Sequence, residues 1–561
     1  MVEAVSKLER LSGRLKALMR VPTPLEWLLL CAGLGFSWRY FWFMDDAFVY
    51  FRYADNCLFL GRGLVFNPGE YVEGFSSPLW MLLLLLIRAT RLDWYTSLRV
   101  LALVFCAVFW ATSVWMNREL QAEHPHGRPR ASLGTALCMT HYGVLGYFSS
   151  GLETPLVQLA ACGFALVLMR PGRKLFQVLV GLAPLIRPEL TVPCVLLIGA
   201  LWVRERRFPR WLVGSAIGFG VTWLAFRVYY YADFFPNTYY LKNETNFSQG
   251  YHYLAYSFGS HQLLIVLAVL LSLAGVEALL RRRTEAPARS RPRFVRLTML
   301  TCALAAVVYP LKVGGDMVYY RFLAFPICLG FLACGGVIEE PLLRISRARR
   351  FMRWGLPALG LAAAIWSALA YPSKLTQHPA TLEAKVPHYH GIADSAWHRQ
   401  IADLRPSAER GRFDSERLDQ YRRATPDQLA GVRVDTGGWC VTDYRRWDRT
   451  VVHEWGLTEP VLARANVKSD RPGHKGGLKP LAHGLLTLRR KATANGSLGL
   501  GMYRRAVTEH YAPSWVSANL DAIEVIEQKA YNQHHFFQNL KLALLRPKVL
   551  VGAAKGSANH R

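Results

Sequence analysis

The chain reads as a polytopic α-helical membrane protein of about eleven spans followed by a mixed α/β soluble domain, and three observations carry that reading. Its apolar residues are gathered into blocks separated by basic clusters, the pattern of membrane helices joined by oriented loops. Two adjacent acids, Asp45 and Asp46, stand directly after the first of these blocks. After Tyr371 the hydropathy drops and no later segment is long and apolar enough to span.

Of the 561 residues 52% are hydrophobic, and the mean hydropathy is +0.14. A spanning helix needs about 20 mostly apolar residues. Segments that qualify begin near Leu25, Leu98, Ala131, Leu152, Phe176, Leu190, Trp211, Leu263, Leu297, Phe322 and Trp354. The net charge of +28 lies largely in short loops between them, so orientation explains it and no nucleic-acid partner is expected. Residues 1–24 carry Lys7, Arg10, Arg14, Lys16 and Arg20 and lack a small-residue cleavage site, which suggests a cytoplasmic tail. Most of the ten cysteines lie in apolar segments, and neither a disulfide framework nor a metal-ligand spacing is evident.

With the N-terminus inside, the helix from about Leu25 to Phe43 delivers Asp45 and Asp46 to the outer side. The apolar run 78–87 is too short to span comfortably and is read as an interfacial or reentrant helix, which makes the basic loops agree on one side. The membrane domain is then 25–371, with a first outer loop at 44–97. The same outer face receives GLETP from Gly151, the apex Arg187, Pro188 and Glu189 between two short segments, the aromatic stretch 233–253, VGGDMVYYR from Val313, and the domain 372–561. Within that domain strands are expected around Gly437 and Gly438, then a helix entered near Thr458, with a helical end over 515–545.

Acids at the edge of hydrocarbon cost roughly 3 kcal/mol each, so the pair is a candidate site. If the substrate is a lipid-linked sugar phosphate, a carboxylate must take a proton from an acceptor hydroxyl and cations must neutralise the leaving phosphate. Asp45 or Asp46 supplies the base, and Arg187, Arg321, Lys312, His474 and Lys242 supply the charge. Arg52, Tyr53, Glu73 and Trp80 follow in a loop suited to holding a sugar, and Glu153, Glu189 and Asp316 stand in the other outer motifs. Each has a plainer reading. Arg187 and Arg321 read also as snorkelling interface residues, Glu153 as a helix cap, Asp316 as part of a glycine loop, and His474 as a surface histidine.

DDAFVYFRYADN, GLVFNPGEYVEGFSSPLW, GLETPL, LIRPE, VGGDMVYYRFLAFP and HEWGLTEPVLAR with RPGHK, in this order, resemble the polyprenyl-phosphate-sugar-dependent GT-C glycosyltransferases, above all the mycobacterial terminal arabinofuranosyltransferases. The resemblance runs from about Phe41 to Lys475. It implies a GT-C membrane domain in the bacterial inner membrane with the site facing the periplasm. It also implies inverting transfer, without metal or other cofactor, of a sugar such as D-arabinofuranose from a polyprenyl-phosphate donor to an envelope glycan or pilin-like acceptor. Asp45 matches the first acid of the family's motif, and the domain 372–561 is implied to bind acceptor glycan. His453, Glu454 and Glu459 around the glycine-leucine turn depart from the family's pattern and bear on the acceptor. A transporter or flippase of lipid-linked glycan is the competing class. It is expected to show inverted repeats and helices broken at the midplane, whereas the motifs here gather at one face.

Overall fold

The computed structural model describes residues 22–39, 41–122, 133–242, 245–259, 290–316, 320–333, 433–437, 449–467, 478–496, 498–545 and 547. The helices used below are α1 (Pro24–Arg39), α2 (Ala47–Leu58), α3 (Pro78–Arg88), α4 (Trp94–Ala122), α5 (Thr154–Met169), α6 (Lys174–Gly181), α7 (Thr191–Glu205), α8 (Arg210–Tyr231), α9 (Asn237–Lys242) and α10 (Ser290–Val313). They continue with α11 (Ala324–Ala333), α12 (Leu478–Ala494), α13 (Leu520–Ala530) and α14 (Phe536–Leu544).

Among the described residues three stretches are long and apolar enough to cross a bilayer: Trp94–Arg118, Arg210–Tyr231 and Phe294–Val313. Shorter apolar helices occupy Pro78–Arg88, Thr154–Met169, Lys174–Ile186 and Ala324–Ala333. The described residues are thus those of a mostly helical membrane protein and hold three candidate spans, which leaves the expected number of about eleven unconfirmed. The blocks beginning near Leu263 and Trp354 lie outside the described residues. α3 has 11 residues and is about 16 Å long, too short for a hydrocarbon core of about 30 Å. Chain direction changes at the expected apex: Arg187 is extended (φ −153°, ψ 132°) between Ala183–Ile186 and the turn Pro188–Leu190 that leads into α7.

Buried aromatic donors tie ends of these helices together. Trp42 Nε1 donates to Gly146 O at 2.7 Å, and Trp80 Nε1 donates to Gly151 O at 3.2 Å. Gly151 has φ +75°, and a Cβ there would meet Phe43 at 2.9 Å, so the turn requires glycine twice over. Behind it, Phe51 stacks on Trp94 with centroids 4.4 Å apart, while Arg88 and Trp94 both hold Asp55, at 2.6 and 3.0 Å.

α2 carries the loop that follows it on its own side chains. Arg52 Nε donates to Phe66 O, Asn56 Nδ2 to Val65 O, and the Tyr53 hydroxyl to Val72 O while accepting from Gly74 N. This loop in turn grips the C-terminal part. Strands β1 (Arg433–Gly437) and β2 (Arg449–His453) pair in parallel. The Asn67 amide completes the ladder on Val451, donating to its carbonyl at 3.0 Å and accepting from its N–H at 2.9 Å. Glu70 reaches Arg489 of α12 at 2.6 Å, and Arg489 also pairs with Glu459 at 3.0 Å. From the other side, Asn237 Nδ2 donates to the Gly456 and Leu457 carbonyls, and Asp233 takes Arg464 at 2.6 Å. Hydrogen-bonded groups cannot lie on opposite sides of a bilayer, so the loop after α2, the segment around α9 and the described C-terminal residues share one face. The expected strands and helical end are present. The described part of this region is docked on the membrane domain through buried polar contacts.

Two carboxylates on one guanidinium leave an excess of negative charge in a dry junction. Burial, reinforced by Glu70 and opposed by Arg489, pushes the Glu459 carboxyl up to about 7. A raised carboxyl contributes stability that is full below its unfolded value, near 4.5, and is lost as pH rises through about 7. The native chain is therefore expected to lose thermal stability between pH 5 and 7.5 more steeply than Glu459→Gln, measured in detergent; parallel profiles would show that Glu459 does not titrate there.

Candidate functional site at the helix ends

Five separated stretches bring charged side chains to one point beside Phe322. α2 begins at Ala47, so Asp46 falls at its N-cap, directly after the aromatic run 41–43. Glu153 precedes α5 and makes no side-chain cap; the residue expected as a possible helix cap turns its carboxylate inward instead. Arg187 comes from the extended break before α7. Asp316 follows Gly314 (φ +84°) and Gly315 (φ +80°), where α10 ends with the Gly315 N–H donating to Pro310 O. A Cβ on Gly315 would lie 2.3 Å from the Tyr253 ring, so only glycine lets the backbone pass and present Asp316. Arg321 lies in the turn that opens α11.

Arg321 is the hub. Its Nη1 meets Asp46 Oδ2 at 2.9 Å and Asp316 Oδ2 at 3.4 Å, and its Nη2 lies 3.5 Å from Glu153 Oε1. The same Glu153 oxygen accepts from Arg187 Nη1 at 2.7 Å, and Arg187 Nε pairs with Glu189. The Arg187 guanidinium also stands over the Phe322 ring at 4.5 Å, with the Lys242 ammonium at 5.8 Å from that ring. Arg187 and Arg321 are each 6% exposed, which rules out snorkelling to water. Burial raises the Glu153 carboxyl, but Arg321 and Arg187 outweigh it and hold the group below its ordinary range. Burial pulls the Lys242 ammonium down against the opposing pull of Asp316 and Asp46. Glu153 Oε2 and Arg321 Nε are buried and have no hydrogen-bond partner among the described residues.

Of the residues singled out from sequence, Asp46, Glu153, Arg187, Glu189, Asp316 and Arg321 converge here, with Lys242 beside them and Asp45 half-buried next to Asp46. Arg52, Tyr53, Glu73 and Trp80 do not join the cluster. Arg52, Tyr53 and Trp80 hold backbone carbonyls, and Glu73 pairs with Arg227 and accepts from Trp223 Nε1 at 3.3 Å, so these four build the loop that carries the acids. Lys312 is exposed and makes no ion pair with these acids among the described residues. His474 lies outside the described residues. Sequence reasoning passed over the Arg464–Asp233 and Arg489–Glu70 pairs, because a lone arginine in a polar segment carries no sign of a buried partner hundreds of residues away.

Apolar helices long enough to cross a bilayer, with paired charges buried at their ends, are the features of a membrane protein. Its relatives narrow the class. The chain is 27% identical over 337 residues to a terminal beta-(1->2)-arabinofuranosyltransferase of Corynebacterium glutamicum, covering 52% of this chain and 47% of that protein. It is 29% identical over 458 residues to a protein of the same name from Mycobacterium tuberculosis, covering 73% of this chain and 70% of the relative. The corynebacterial match thus spans about half the length of that relative. No family profile and no solved structure matches the chain. The chain is thus similar to two proteins named as terminal beta-(1->2)-arabinofuranosyltransferases.

Removing one partner from a buried ion cluster costs about 3–5 kcal/mol because the remaining charges lose their compensation. Arg321→Ala is therefore expected to lower the thermal midpoint in detergent clearly, whereas Lys312→Ala leaves it unchanged. A parental midpoint for Arg321→Ala would contradict the cluster as described.

Proposed function

We propose that the protein is a glycosyltransferase that moves a sugar, D-arabinofuranose by analogy with its relatives, from a polyprenyl-phosphate donor to an acceptor of the cell envelope, with inversion. The observation that carries this reading is the pair of buried guanidiniums, Arg187 and Arg321, held side by side by one Glu153 oxygen. Two such groups fixed next to each other form a bidentate receptor for a phosphate, and the Arg321 Nε that lacks a partner is a donor waiting for one. Lys242 adds a third cation at the same spot.

In this mechanism the acceptor hydroxyl attacks the anomeric carbon from the face opposite the phosphate. The new C–O bond forms as the bond to the phosphate oxygen breaks, and the electron pair leaves with the lipid phosphate, whose charge Arg187 and Arg321 neutralise. A carboxylate takes the hydroxyl proton. Asp46 pairs with Arg321, and we assign it the task of fixing that guanidinium; proton transfer is assigned to Asp45, which matches the first acid of the family's motif. Glu153, held ionised by both arginines, keeps the two in register, and its second oxygen is placed to accept from a substrate hydroxyl. The site lies on the face shared with the docked C-terminal residues, which we assign to the periplasmic side of the inner membrane. Transport of lipid-linked glycan is the weaker reading, since the charges gather at helix ends on one face and both relatives bear transferase names.

A general base contributes about 10² to 10⁴ in rate. Asp45→Asn is expected to lose transfer from synthetic polyprenyl-phosphate arabinose by that factor while still retaining donor. Asp46→Asn should chiefly raise the apparent KM for donor. Near-normal transfer by both purified variants would remove this loop from the chemistry.

A further inference from the structure

The last described helix lies where the protein would meet the surface of the membrane. α8 is the most exposed of the three candidate spans, with Ile217, Phe219 and Val221 open on its flank, and it ends at Tyr231. A helix end leaves its final carbonyls without intrahelical donors. Here two asparagines from the C-terminal part supply them: Asn539 Nδ2 donates to Tyr229 O at 2.7 Å and Asn532 Nδ2 to Tyr230 O at 3.2 Å. Asn539 also donates to Asn532 Oδ1 at 2.8 Å, and His534 stacks on Tyr230 with centroids 4.7 Å apart. α14 is thereby fastened across the end of α8, at the level where that helix would leave hydrocarbon.

α14 turns Asn539 and Ala543 towards the protein. Its other side carries Phe537 at 78% exposed and Leu544 at 65%, flanked by Phe536, with Lys541 at the margin. On a helix of 100° per residue Phe536, Phe537, Leu540 and Leu544 fall within one sector of about 100°. Tyr229, Phe235 and Tyr239 are also more than 40% exposed, at the same end of α8 or just after it, and extend the apolar rim. Large exposed aromatics next to a basic residue, continuous with a lipid-facing span, fit the boundary between headgroups and acyl chains.

We propose that α14 is an in-plane membrane helix whose Phe536, Phe537 and Leu544 enter the outer leaflet, so that the C-terminal part is anchored at its far end by lipid as well as by the loop after α2. The partner is the phospholipid bilayer. This inference rests on the membrane reading of the chain and is independent of the transfer chemistry. Its effect is to fix the height of the C-terminal part relative to the end of α8.

The test places p-benzoylphenylalanine at Phe537 or Leu544 in the full-length chain in phospholipid nanodiscs, irradiates, and reads adducts by intact mass. Ile217 on α8 is the lipid-facing reference, and Arg504, 64% exposed by its side chain on the helix Met502–Thr508, is the solvent reference. Phospholipid adducts at Phe537, Leu544 and Ile217, several-fold above the yield at Arg504, are expected. Adducts at Ile217 with none at Phe537 and Leu544, or a cross-link from these to a second protein chain, would overturn the proposal while sparing the membrane reading. Absence at all three would defeat both, and equal yields at Arg504 would show that capture is not specific to α14.

Discussion

The contact of Arg321 with Asp46, Asp316 and Glu153 is the constraint on which the arrangement depends. A guanidinium that is 6% exposed has surrendered most of its water, and only charged neighbours at close range compensate for that loss. The neighbours arrive from three different places in the chain, and Asp46 is 275 residues away in sequence. For the pairs to form, the chain must enter α2 at Asp46, enter α5 at Glu153 and leave α10 just before Asp316, all at one level. A buried ion cluster is poor evidence for stability, since apolar groups of the same volume often serve as well. Its presence at the common end of several apolar helices is what motivates reading its two guanidiniums as a ligand site.

The rest of this face holds that level fixed. Trp80 pins the turn from which Glu153 emerges, Gly151 and Gly315 give the backbone passage that no larger residue permits, and Phe322 packs under Arg187. Farther out, Asn67 and Asn237 each bind backbone of the C-terminal part with their side-chain amides, and Glu70 and Asp233 each hold one of its arginines. These contacts join a loop of the membrane domain to strands and helices hundreds of residues later. A ligand bridging the cluster and the C-terminal part would thus meet a surface whose two halves are already registered.

The charge pattern and the motifs made much of this legible. The acid pair after an apolar block, the break at Arg187 and the two glycines before Asp316 each signalled a departure from plain helix, and all three lie in the cluster. The plainer readings of Glu153 as a cap and of the arginines as snorkelling residues depended on side-chain direction, which periodicity does not carry. The stretch from Arg52 to Trp80 was read as a sugar-holding loop because it is polar and aromatic, whereas Arg52 and Tyr53 lie on α2; they look the same in sequence whether they face a ligand or their own backbone. The run 78–87 was legible as too short to cross, and the helix Pro78–Arg88 bears that out, whereas short apolar helices such as Lys174–Ile186 do not reveal from hydropathy alone whether they cross.

The direct test of the ionic cluster as a phosphate site is equilibrium binding of a sugar-free polyprenyl phosphate to the purified chain, followed by native mass spectrometry in detergent. The parent, Arg187→Gln, Arg321→Gln and the distant Arg464→Gln are compared. A charge-assisted bidentate contact is worth roughly 1.5–3 kcal/mol, so each of the first two variants should bind at least about 10-fold more weakly, and Arg464→Gln should bind like the parent. Equal affinity in all four would contradict a phosphate role for the cluster.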